Sequence, residues 1–135
     1  MTLQISVAVR NAMLDTIEST ISASAVLKIR SGAQPANCAA ADSGDVLATL
    51  TLPSDWMAAA NAGAKALSGT WQDTSADATG TAAHFRVYAS DGTTCHMQGS
   101  ITATGGGGDM TIDNTSVAAG QSITISSFTL TAGNA

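Results

Sequence analysis

The groups best able to do chemistry cluster in His84-Phe85-Arg86-Val87-Tyr88 and Cys95-His96-Met97-Gln98. Histidine moves protons near neutral pH, and arginine or tyrosine beside it can hold an anion. Alternation along two adjacent strands puts His84, Arg86, Tyr88, His96 and Gln98 on one outward face. General acid–base work also needs an oriented partner and a pocket. No carboxylate lies in these strands to orient an imidazole, and Arg86 opposite His96 discourages an imidazolium. Two histidines also leave a zinc site short of ligands, and the chain has no CxxC. The reading is catalytic residues none, metal ligands none and cofactors none, with this face a surface for a partner.

Other motifs give less. Gly105 to Gly108 lacks the GxxxxGK[ST] pattern of a phosphate loop and reads as a flexible tip. No GxSxG elbow accompanies the many serines. The carboxylates are spread as singles, and Asp15 with Glu18 reads as a solvated helix face. Trp56 and Trp71 suit core or interface anchors, or platforms for stacking sugars. Cys38 and Cys95 read either as two small buried thiols or as one long-range bridge.

Charged residues make up 11% of the 135, against a usual share of about 25%. Net charge is −5. The five bases, Arg10, Lys28, Arg30, Lys65 and Arg86, form no run, which argues against direct nucleic-acid binding. No apolar stretch approaches the ~20 residues of a membrane span, so no membrane partner is expected. The first residues lack the basic start of a signal peptide, which implies synthesis in the cytoplasm. From Gly80 to Leu130 the strands carry Thr, Ser, Gln and His where soluble β proteins usually carry guarding charge.

One domain accommodates this length, with residues 1–24 a helix and residues 25–135 a β-sandwich. Leu3, Val7, Leu14, Ile17 and Ile21 recur at helical spacing over residues 3–21, with Arg10 on the seam, Thr2 as N-cap and Ser22 to Ser24 as exit. That stripe packs on the protein's own sandwich or docks on a neighbour. Strands are expected over 25–31, 45–52 and 65–72, with a short helix over 55–60 capped by Ser54. A three-residue loop, Ser90-Asp91-Gly92, pairs Val87 with Cys95 and Phe85 with Met97, and places the apolar residues on one side. Between Ile125 and Phe128 the apolar parity flips, which a bulge at Ser126-Ser127 or a strand buried on both faces would explain. The expected fold is mainly β: an antiparallel, jelly-roll-like sandwich of about seven or eight strands with one N-terminal α-helix.

Leu27-Lys28-Ile29-Arg30-Ser31-Gly32-Ala33-Gln34-Pro35-Ala36 resembles a pattern met in small structural proteins of tailed bacteriophages. So do Gly80 to Tyr88, Ala119 to Ile125 and the opening Arg10 to Asp15. The chain most resembles the jelly-roll decoration, or cement, proteins of icosahedral heads. That resemblance implies a non-enzymatic dimer or trimer on the capsid surface of the virion, bound to the major capsid protein. The expected contacts are Leu3, Val7, Arg10 and Leu14 on the helix, with His84, Arg86, Tyr88, His96 and Gln98. The alternative is a tail or fibre component that binds host-surface glycans.

Overall fold

A computed structural model describes residues 3–134. Among the described residues one helix, α1 (Val7–Ile21), precedes eleven short strands: β1 (Val26–Arg30), β2 (Val46–Thr51), β3 (Ala64–Ala66), β4 (Trp71–Asp73), β5 (Gly80–Thr81), β6 (His84–Tyr88), β7 (Cys95–Ala103), β8 (Met110–Ile112), β9 (Ser116–Val117), β10 (Ile123–Ile125) and β11 (Thr129–Thr131). The chain is mainly β with one N-terminal helix. The helix starts later than its apolar spacing suggests, because the Ile5 N–H donates to Asn134 O at 2.6 Å and holds the lead-in extended. Ser6 is the N-cap and its Oγ accepts from Val9 N; Thr2 lies outside the described residues. Ser22 ends the helix at φ 75°, its N–H bonded to Glu18 O.

The principal sheet has the order β2-β1-β6-β7-β8 and is curled. Its pairs are antiparallel except β7–β8, which run parallel with Ile101 opposite Met110 and Ala103 opposite Ile112. Parallel neighbours normally need a crossover of about a dozen residues or more; here only residues 104–109 intervene. The glycine run makes this possible. Gly105 and Gly107 take positive φ, and a Cβ on Gly106 would stand 2.7 Å from the Thr102 side chain. The run is a tight return between parallel strands, not the tip of a hairpin.

Three two-stranded ladders complete the β structure: β10–β4, β11–β3 and β5–β9. Leu27, Ile29, Phe85 and Val87 of the principal sheet join Trp56, Trp71, Ile125 and Phe128 in one core. Phe128 ties the layers, its ring centroid 5.7 Å from Phe85 and 5.8 Å from Trp71.

Four local expectations are corrected. Residues 55–60 form no helix, because three of their backbone N–H groups are taken by tertiary partners: Met57 N donates to Glu18 Oε1, Ala58 N to Ala66 O and Ala60 N to Asp15 Oδ1. The strand over 65–72 is two strands, broken at Gly69 (φ 71°), with β3 paired to β11 and β4 to β10. The parity flip after Ile125 is neither a bulge nor a doubly buried strand; the chain leaves β4 and crosses to β3 through exposed Ser126 and Ser127. The β6–β7 register is two residues from the expected one, with Phe85 opposite Gly99 and Val87 opposite Met97. A shift of two preserves the faces, so Phe85, Val87 and Ile101 still enter the core, but the irregularity after Val87 sets Cys95 opposite Tyr88, off the apolar side where it was expected. Gly92 does take positive φ, at 71°, but the turn is held by Asp91, which accepts from Thr93 N, Thr94 N and Thr94 Oγ1.

Candidate functional site

β1 and β6 lie side by side, so Lys28 pairs with Arg86 and Arg30 with His84 across the ladder. Three of the five bases, scattered in the sequence, thereby share one sheet face with Tyr88. The expectation that this face looks outward is corrected: His84, Arg86 and Tyr88 are each no more than 1% exposed, and Arg30 only 6%. The loop of residues 32–45 lies over them. Asp42 from this loop bonds Arg86 Nη1, Arg30 Nη2 (2.9 Å) and the Tyr88 hydroxyl (2.7 Å). Arg86 Nη2 also donates to Asn37 O at 3.0 Å and Ala40 O at 3.2 Å. Gln98 joins both layers, accepting from Arg86 Nε and donating Nε2 to Pro35 O at 2.7 Å. Lys28 reaches Gly92 O and sits 5.0 Å from the centroid of the Tyr88 ring.

The charges follow from this cover. Burial pushes the Asp42 carboxyl up, but bonds from Tyr88 and Arg86 and the charges of both arginines outweigh it and hold the carboxyl below its ordinary value. Burial, then the Asp42 bond, raises the Tyr88 phenol. Burial lowers His84, and the nearby charges of Arg30 and Arg86 lower it further against a raising bond to Gly32 O. That carbonyl can only accept, so Nδ1 carries the ring proton and donates at 3.0 Å. Nε2 is left buried without a partner among the described residues. Apart from His84 Nε2, these groups form an internal network closed over by the strap.

The proposed contact residues therefore separate. His84, Arg86 and Tyr88 are internal, and Gln98 is half-buried beneath Pro35. Cys95 stands opposite Tyr88 across an irregularity in the ladder. His96 follows it, exposed, beside Thr16, Ile17, Thr20 and Ile21 of α1 in a hollow of about 230 Å³. On the helix, Leu14 is buried at 3% and Arg10 is half-buried, its Nη1 donating to Ala132 O. Leu3 and Val7 are 74% and 47% exposed, with Val9 and Met13 similarly open.

α1 also carries a polar fastening. Asn11 Oδ1 accepts from Gly63 N, Asp15 from Ala60 N and Lys65 Nζ, Glu18 from Met57 N, and Ser22 O from Trp56 Nε1. Lys65 is buried, 2.7 Å from Asp15 and 3.0 Å from Glu18. Burial would lower Lys65, but those two bonds and charges raise it. Asp15 and Glu18 are thus a docking edge, not merely a solvated face. An open hollow of about 510 Å³ borders them, with Ser22, Asp55 and Met57. Trp56 and Trp71 are fully buried, 5.9 Å apart, and cannot serve as exposed sugar platforms.

Asp42 is the residue that the sequence reading passed over. Its signal is the pair Arg30 and Arg86 in strands otherwise poor in charge: buried cations demand an acid, and Asp42 is one of two acids in the intervening loop. Among the described residues no group of three His, Cys, Asp or Glu side chains is arranged to hold a metal, and no helix is long and apolar enough to cross a membrane. Comparison with protein-family models, curated proteins and solved structures gives no match.

Proposed function

We propose that this chain is a structural virion protein of a tailed phage, one that decorates the capsid and bridges neighbouring copies of the major capsid protein. The observation that carries this reading is the division of α1. Its second half is spent on the protein's own core through Leu14, Ile17 and Ile21, while Val7, Val9 and Met13 of its first half, with Leu3 in the extended lead-in, remain exposed. The stretch Val7 to Leu14 holds a single charge, Arg10, itself engaged with Ala132 O. Interface cores are depleted in charge in the same way. The resemblance of the Leu27–Ala36 and Gly80–Tyr88 segments to phage structural proteins supplies the partner.

In this reading the protein is non-enzymatic and sits on the capsid surface as a dimer or trimer. Its architecture is a jelly-roll-like sandwich. The principal sheet forms one layer and the β10–β4 and β11–β3 ladders the other, an arrangement supported by the Phe85–Phe128–Trp71 ring contacts. The contact surface narrows to Leu3, Val7, Val9 and Met13, with exposed His96 at its border.

The test is quantitative. Purified virions should contain the protein in fixed stoichiometry with the major capsid protein, and capsids lacking it should take it up in sedimentation assays. Val9→Asp with Met13→Asp should abolish uptake while leaving the fold intact. A handful of copies per particle, or uptake indifferent to both substitutions, overturns the proposal.

A further inference from the structure

The strap that covers the basic face carries a cysteine, and the face beneath carries the other. Arg86 Nη2 grips Asn37 O at 3.0 Å and Gln98 Nε2 grips Pro35 O at 2.7 Å, so the backbone on both sides of Ala36 is pinned over β6 and β7. The next residue is Cys38. Below it, Cys95 opens β7 opposite Tyr88, on the side of the sheet that also holds Arg86. Cys38 follows Asn37 directly, so the pinned strap carries its thiol to the face where Cys95 stands and leaves the two adjoining, while Cys95 Sγ donates to Met97 O at 3.5 Å. Both cysteines are free and half-buried, close enough to the surface for a small reagent to reach.

We propose that Cys38 and Cys95 form a reversible disulfide that staples the 32–45 strap over the Arg30–Arg86–Tyr88 face. The oxidant is a low-molecular-weight disulfide such as oxidised glutathione. The Cys38 thiolate attacks one sulfur of that disulfide, forming a mixed disulfide and releasing one thiol. Cys95, after losing its proton to solvent, attacks the Cys38 sulfur of the mixed disulfide, forms the internal bond and releases the second thiol. Two protein thiols are oxidised and one small disulfide is reduced to two thiols. Burial and the adjoining Cys38 raise the Cys95 thiol, so little of it is thiolate near neutral pH and its attack paces the second step, which speeds as pH rises. In a reducing compartment the pair stays open, and outside it the strap locks. This inference is independent of the capsid reading.

The experiment exposes the folded full chain to oxidised glutathione. It reads intact mass, free-thiol count, thermal midpoint and hydrogen exchange of residues 33–44. The expected result is loss of two hydrogens with no retained glutathione, and a Tm raised on the order of 10 °C, since the closed loop is long. Exchange should slow in the strap, and dithiothreitol should reverse all three. Cys38→Ser and Cys95→Ser should each remove the shift. Persistent free thiols, a stable glutathione adduct at either site, a bond between two copies, or a lowered Tm each overturns the proposal.

Discussion

Tyr88 donates its phenol to Asp42 at 2.7 Å, across 46 residues of chain. The same carboxylate answers Arg30 and Arg86, so one loop residue neutralises cations from two neighbouring strands. The strap is held by electrostatics more than by apolar burial: its residues Ala33, Gln34, Ala36, Asn37 and Ala39 are all exposed.

Asp42→Asn should therefore destabilise the fold. Breaking a fully buried pair costs about 3–5 kcal/mol, and Asp42 is 38% exposed, so about 2 kcal/mol is expected. Urea unfolding checks this against Asp45→Asn, an exposed site expected to stay within about 0.5 kcal/mol of the parent. Equal midpoints for the two variants would contradict the role given to Asp42.

Acid should weaken the protein in two stages. The folded His84 is held below the ordinary 6.5, so the unfolded chain binds the proton first. Its contribution is complete above pH 6.5 and is lost as pH falls from there through the folded value, at up to about 1.4 kcal/mol per pH unit. Asp42, also lowered, acts only below its ordinary 3.8. Urea midpoints between pH 7.5 and 5 should fall in the parent and run flatter in His84→Gln. Parallel profiles would refute the assignment.

Gly99 faces the Phe85 ring. An added Cβ would stand 2.7 Å from Phe85 Cε1 and 3.0 Å from Asp109 Cβ. Gly99→Ala should cost about 1–3 kcal/mol by overpacking, read as a lower thermal midpoint. Gly92→Ala tests a different effect: nothing lies within 4 Å, yet φ is 71°, so any loss there reports backbone strain alone.

The division of α1 gives a paired test. Leu14→Ala should cost about 2–4 kcal/mol, because Leu14 is buried against the body. Met13→Ala, one residue away and 52% exposed, should stay within about 0.5 kcal/mol. Comparable losses would mean that the helix packs differently in solution.

Local pattern was enough for whatever depended on neighbours in the chain. The helix appeared in the spacing of Leu14, Ile17 and Ile21, the core face of β1 in Leu27 and Ile29, and that of β6 in Phe85 and Val87, because periodicity records which side meets the core. The positive φ at Gly92 was legible for the same reason. Tertiary contacts decided the rest. Residues 55–60 gave up helix because Asp15 and Glu18 capture their N–H groups, and no local signal announces a carboxylate arriving from α1. The face of His84, Arg86 and Tyr88 looked like open surface because its cover is a loop more than forty residues earlier, and alternation tells one face from the other without saying what lies on it. By itself the sequence determined which apolar residues of β1, β6 and the second half of α1 turn inward; only the fold decided that Leu3 and Val7 stay exposed and that a second, charged interior exists, built where Asp42 meets two arginines that topology alone brings together.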